Sequence, residues 1–199
     1  AGPFHSQSNE AWFFHTPGLK IVYPSNPYDA KGLLCAALED PNPYLYFEHK
    51  FLYRSLSEEI PDDYYTIDVG KARLVREGSD LSIITYGMGV HWAQEVLDEM
   101  SGITADVVDL RTLLPWDRQA VADTVAKTNR VILLHEDTLT GGIGAEIAAW
   151  ISEHHFTQLD APVKRVASLD TSIPFAPTLE QNFLPKGRLR EAIDDLLAF

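Results

Sequence analysis

The chain has 199 residues, with 29 acidic against 16 basic side chains and a formal net charge of −13 at pH 7. That balance argues against nucleic acid and anionic membrane as partners, since both need basic surface. An apolar fraction of 45% is ordinary for a globular protein with a sizeable core, and the length allows one large domain or two small ones. A single cysteine, Cys35, excludes an internal disulfide and points to a reducing compartment. No apolar run approaches the roughly 18–20 residues needed to cross a bilayer, and AGPFHSQSNE lacks the basic and apolar regions of a signal peptide. The expectation is a cytoplasmic protein.

In chain order, residues 1–10 read as a polar loop containing His5, with Ser8 as the cap of a short helix carrying Trp12, Phe13 and Phe14. Pro17-Gly18 ends that helix, and Leu19 to Tyr23 reads as a strand. Asn26 then supplies a helix cap, Pro27 the first helical position, and Asp29 a negative charge near the positive helix end. Ala30, Leu33, Leu34, Ala37 and Leu38 share one face of this helix, which predicts an inward apolar stripe. It stops at Asp40-Pro41, and Tyr44 to Glu48 is the next strand, completing a βαβ unit with parallel strands. Two strands and about two helices bury too little surface for an independent core. Residues 1–52 therefore read as the C-terminal part of a truncated domain.

Residues 53–79 show no sustained helical period and carry acidic pairs. They predict an ordered connection with a short edge strand around Ala72 to Val75, too rich in aromatic and aliphatic residues for a free tether. From residue 80 the pattern is regular. Strand Leu81 to Tyr86 precedes a helix with Val90, Ala93, Val96, Leu97 and Met100 on one side. Strand Asp106 to Leu110 leads through a loop, RTLLPW, to a helix capped by Asp117. Strand Val131 to His135 precedes a helix whose Ile143, Ile147, Trp150 and Ile151 align, and strand Val163 to Leu169 leads through a proline-spaced loop to a last helix from Gly187 to Leu197. The alternation predicts an α/β fold, a mostly parallel doubly wound sheet with helices on both faces, over residues 80–199.

Gly87-Met88-Gly89 stands where a dinucleotide fingerprint would, but Trp92 occupies the third glycine's place, so a tight turn is the better reading. Gly141-Gly142-Ile143-Gly144 lacks the lysine of a phosphate loop, and its glycines read as allowing close backbone approach. The histidines have no metal spacing to one another or to Cys35. His154-His155 reads as a solvated helix end. Glu136-Asp137, at a strand's carboxyl end, reads as a loop cap or an interface salt bridge more readily than as a ligand site. His5 differs, because in the short polar loop HSQS its side chain is placed to face a cleft.

GPFHSQS, EAWFFHTPGLKIVYPSNPYDAKGLLCAALEDPNP, EHKFLYR, DLRTLLPWD, HEDTLTGGIGAEI and DTSIPFAPTLE together resemble the β subunit of the thiamine-diphosphate-dependent 2-oxo acid dehydrogenases, nearest the branched-chain enzyme. The resemblance covers essentially the whole chain. It implies a three-layer α/β/α transketolase-type C-terminal domain preceded by part of a pyrimidine-binding domain, and oxidative decarboxylation of 2-oxo acids with acyl transfer to lipoyl. The family's catalytic histidine falls on His5; imidazole titrates nearest neutral pH, which suits proton shuttling. A potassium site of backbone carbonyls falls on Ala37, Asp40 and Asn42. Docking of a basic domain of the lipoyl acyltransferase falls on Asp160 and the terminal carboxylate of Phe199, helped by the negative charge. The family binds thiamine diphosphate with Mg²⁺ through an α subunit and through residues upstream of Ala1, in an α₂β₂ assembly. The chain alone is therefore expected to be inactive. A pyruvate dehydrogenase β subunit and a non-catalytic docking module are the alternatives.

Overall fold

The computed structural model describes residues 4–199. The first helix, α1 (Glu10–Phe14), starts after Asn9 with no side-chain cap, so Ser8 does not have the expected role. β1 (Lys20–Val22), α2 (Pro27–Glu39) and β2 (Tyr44–Tyr46) form the expected βαβ unit with parallel strands. Asn26 caps α2 as predicted: its Oδ1 accepts from the Asp29 N–H at 2.8 Å.

The inward stripe of α2 is not the predicted one. Leu34 and Leu38 are 45% and 79% exposed, whereas Asp29, Gly32 and Leu33 are buried. Gly32 is the reason. A Cβ there would lie 2.6 Å from Ile67 and 2.8 Å from Tyr65, so its absence lets the connecting segment lie on the helix, with the Ile67 N–H donating to the Gly32 carbonyl at 3.1 Å. Apolar periodicity gives glycine no weight, and here glycine decides the face. The connection also contains α3 (Leu52–Ser55), which no sequence signal marked, and ends in β3 (Arg73–Arg76), the expected edge strand, antiparallel to β5.

β4 (Leu81–Thr85), α4 (Met88–Asp98), β5 (Ala105–Asp109), β6 (Thr112–Leu114), α5 (Arg118–Thr128), β7 (Val131–Thr138), α6 (Ile143–His155), β8 (Lys164–Ser168), α7 (Pro177–Phe183) and α8 (Lys186–Leu197) complete the chain. The main sheet has the order β3-β5-β4-β7-β8 and is parallel apart from β3. Side chains alternate across it. Leu81, Ile83, Ile132 and Leu134 meet Val96 and Leu97 of α4 and Leu189 and Ile193 of α8 on one face. Ile84, Val108, Val131 and Leu133 meet Val121 and Val125 of α5 and Ile143 and Ile147 of α6 on the other. The result is three layers, α/β/α, with strands buried on both faces, which is why they read as continuous apolar runs. No helix of the described residues is long and apolar enough to cross a membrane.

Two stretches taken for loops are structured. Residues 112–114 form β6, which pairs antiparallel with β1 and completes a smaller sheet of order β2-β1-β6. Its pairing partner lies some ninety positions back in the chain, beyond the reach of local pattern. α7 was missed although Pro177 stands at its first turn, a favoured place for proline. Asp117 caps α5 as predicted, accepting from the Ala120 N–H at 3.1 Å.

Between β5 and β6 the chain turns through Arg111, whose φ of +56° is in the left-handed region. That turn aims its guanidinium back across the first part of the molecule. Arg111 Nη1 donates to Asp29 Oδ1 at 3.2 Å and Nε to the Lys71 carbonyl at 3.0 Å. Its own N–H donates to Asp109 Oδ1 at 3.0 Å. Asp29 and Asp109 are both fully buried, and Ser25 Oγ donates to Asp109. Burial, foremost, raises the Asp109 carboxyl to about 6, against the lowering effect of the Ser25 bond.

Candidate functional site

In the main sheet the chain passes from β4 to β5 on one side and returns to β7 on the other, so the strand order reverses between β4 and β7. Open α/β sheets receive ligands in the crevice outside the carboxyl ends of strands at such a point. Here side chains of both parts of the chain fill that crevice. Tyr86, just past β4, donates its hydroxyl to Glu10 Oε1 of α1 at 2.8 Å. Tyr23, just past β1, lies with its ring centroid 5.3 Å from that of Tyr86 and stacks on Phe47 at 5.8 Å. His135 of β7 stacks on Tyr86 at 6.3 Å, and its Nδ1 donates to the Asp137 carbonyl at 3.1 Å. His49, just past β2, donates through Nε2 to Glu136 Oε2 at 2.6 Å.

Burial dominates the electrostatics. The Glu10 carboxyl is 1% exposed and is raised to about 7 by burial first and by the Asp137 charge second. Its Oε2 has no hydrogen-bond partner among the described residues. Burial also raises Asp137, and it lowers His135 to about 4, so that imidazole is neutral at pH 7. The Tyr23 and Tyr86 phenols are pushed well up for the same reason and stay protonated, Tyr86 as the donor to Glu10. The site is a buried, neutral-to-acidic aromatic cluster that α1 enters through Glu10.

The glycines after β7 make room for His135 at this site. A Cβ on Gly142 would lie 2.5 Å from His135 Cε1 and 2.6 Å from the Thr138 carbonyl, and one on Gly144 would lie 2.8 Å from the same ring. Gly142→Ala is expected to destabilise the protein by about 1–3 kcal/mol, the usual penalty for overpacking a filled site. A chemical-denaturation midpoint equal to that of the parent would contradict this packing account.

The sequence-derived residues fall on separate elements. His5 sits in an exposed turn ahead of α1, held on one side by the Phe4 ring packed 6.0 Å from Phe175 and on the other by α1. Ala37, Asp40 and Asn42 lie at the carboxyl end of α2. The Asp40 carboxylate there is ion-paired with Lys20 and accepts from the Asn42 N–H at 2.9 Å and the Tyr44 hydroxyl at 2.9 Å, which leaves backbone carbonyls for a cation. Asp160 forms an ion pair with Arg130 at 3.4 Å, and Phe199 is 71% exposed. Glu136 and Asp137 do bridge to another element and cap their own loop, with Asp137 Oδ1 accepting from the Thr138 N–H at 2.8 Å. His154 and His155 end α6 in solvent contact. Sequence reasoning missed Glu10, Tyr23 and Tyr86. The one available signal was a carboxylate set directly before the apolar AWFF, which local rules assign to the helix dipole.

Residues 70–188 match the family model of the transketolase C-terminal domain. The chain belongs to the transketolase C-terminal domain family. Residues 1–55 match the transketolase pyrimidine-binding domain, so both parts of the resemblance read from the sequence are borne out. This transketolase-family chain is 52% identical over 200 residues to the 2-oxoisovalerate dehydrogenase subunit beta of Bacillus subtilis, covering 98% of the chain and 61% of that protein. It is 46% identical over 186 residues to the pyruvate dehydrogenase E1 component subunit beta of the same organism, covering 92% and 57%. The chain thus spans about three-fifths of the length of these curated relatives. A solved split-gene transketolase, described as an inactive β4 tetramer, superposes with a TM-score of 0.79 at 24% identity over 98% of this chain and 63% of that one. That likeness bears on the fold alone.

Proposed function

We propose that the chain is the β-subunit portion of the thiamine-dependent decarboxylating component of a branched-chain 2-oxo acid dehydrogenase, with residues 1–52 from a pyrimidine-binding domain, 53–79 a connection and 80–199 the transketolase-type C-terminal domain. The 52% identity to a 2-oxoisovalerate dehydrogenase β subunit over nearly the whole chain carries this reading. His5 is assigned as the catalytic histidine, moving a proton at the reacting acyl group during transfer to lipoyl; its exposed loop leaves the imidazole accessible to a substrate brought by another subunit. Among the described residues no three His, Cys, Asp or Glu side chains converge as a metal site. Thiamine diphosphate and its Mg²⁺ are assigned to an α subunit or a fused α segment in an α₂β₂-type assembly. The chain alone is assigned as inactive. Potassium is assigned to the carbonyls of Ala37, Asp40 and Asn42, where a helix end releases unpaired oxygens, and docking of the lipoyl acyltransferase to Asp160 and Phe199. The compartment is assigned as cytoplasmic.

The second reading, pyruvate as substrate, draws on the 46% identity to a pyruvate dehydrogenase β subunit. A substrate panel on the full-length enzyme assembled with its α subunit separates them. We expect kcat/KM for 2-oxoisovalerate to exceed that for pyruvate by about tenfold or more, the discrimination that a few methyl groups in an apolar pocket supply. A preference for pyruvate would move the assignment. Absence of turnover with every 2-oxo acid would favour a docking module without catalysis.

A further inference from the structure

Among the described residues Glu10 is the one carboxylate set at the strand-order reversal and left with a buried oxygen without a hydrogen-bond partner. It enters from α1, so the crevice in which an open α/β sheet ordinarily holds a ligand is closed here by a helix whose preceding loop carries His5. Ala11 and Phe14 of α1 pack on the same apolar cluster as Ile143 and Ile147 of α6, which leaves the loop 5–9 suspended between two anchors, α1 behind it and the Phe4–Phe175 contact ahead of it. We propose that Glu10 is a positioning residue for His5: seated in the crevice between the ends of β4 and β7, its carboxyl latches α1 to the sheet and so fixes the loop from which His5 acts. The proposal rests on the reading of His5 given above.

The surroundings make this latch proton-dependent. Facing Glu10 are Tyr86 past β4, Tyr23 past β1, and Glu136 and Asp137 on β7, with His135 behind Tyr86 and His49 bonded to Glu136. Arg165 on β8 acts on His135 rather than on Glu10. No lysine or arginine is ion-paired with Glu10 among the described residues. Ionised, the carboxylate is buried beside two other acids with one oxygen unbonded, an arrangement that disfavours docking. Protonated, it sits there without that penalty and still accepts from Tyr86. The sign follows by linkage. The ordinary carboxyl value is 4.5 and the docked value about 7. Between these the docked state holds a proton that the undocked state releases, so docking weakens as pH rises from 4.5 to about 7 and is constant above.

The test uses the full-length protein assembled with its α subunit, and compares the parent with Glu10→Gln, which keeps the shape and the Tyr86 bond but cannot ionise. Hydrogen exchange of residues 4–14, corrected for the intrinsic pH dependence of exchange, should accelerate several-fold in the parent from about pH 5 to about pH 7 and stay flat in the variant. Lipoyl-dependent kcat should fall over the same interval in the parent and lose that limb in Glu10→Gln. Superimposable profiles for the two proteins would overturn the proposal, as would an exchange step that turnover does not follow. Tyr86→Phe gives a second reading independent of the first. Loss of the donor that lowers the Glu10 value should move the exchange step to higher pH, and an unmoved step counts against the latch. Normal turnover in His5→Ala, with the exchange step intact, would instead remove the role of His5 and leave the anchoring of α1 in place.

Discussion

Replacing His5 by alanine in the assembled full-length enzyme is expected to lower lipoyl-dependent turnover by more than about tenfold, the lower end of what a positioned acid–base group supplies. The melting temperature should change little, because the side chain is exposed. The two measurements together separate chemistry from folding. A tenfold loss corresponds to about 1.4 kcal/mol of transition-state stabilisation, an amount that an exposed loop residue does not contribute through packing. Near-normal turnover would remove His5 from the reaction and shift weight to the docking reading.

Arg111→Ala is expected to be the most damaging single change to stability, at about 3–5 kcal/mol, since removing one member of a buried pair strands its partner. Asp29 is 0% exposed, and without Arg111 its remaining cationic neighbour is Arg73 at 3.6 Å. The same change releases the Lys71 carbonyl and unties the connection from α2. Urea unfolding of the parent and the variant measures the difference. The companion Asp29→Asn should partly rescue Arg111→Ala, because the stranded charge is gone; contacting residues of one network couple in this way. A loss below about 1 kcal/mol for Arg111→Ala, or strict additivity in the double variant, would show that the ion pair is relaxed by water and does not staple the two parts of the chain.

Glu10 and Arg111 have a common geometry. Each lies in one part of the chain and spends its side chain on the other, Glu10 in the crevice of the main sheet and Arg111 on the carboxylate that opens α2. Glu136 does the same with His49 across 2.6 Å. The loop that carries His5 is therefore not a free appendage of the smaller sheet. Its position depends on polar groups in both parts, and Gly142 and Gly144 keep the β7 side of that joint open for His135.

Much of the architecture was legible in the chain itself. Val131 to Leu134 had to be an interior strand, α4 and α8 had to turn Val96, Leu97, Leu189 and Ile193 inward, and Asn26 and Asp117 had to start helices, because each rule acts within a few residues. The blocks HSQS and HEDTLTGG carried the family for the same reason: they are contiguous. What tertiary structure alone decided is of another kind. Leu34 and Leu38 face outward because Gly32 admits Ile67 from thirty-five positions away, Leu113 becomes strand because β1 is beside it, and Glu10 becomes a buried acid because Tyr86 and Asp137 converge on it. Periodicity, capping and turn chemistry are local energies and are written in the order of residues. Desolvation and pairing are energies of whatever the fold brings together, and they acquire a value only when distant segments meet.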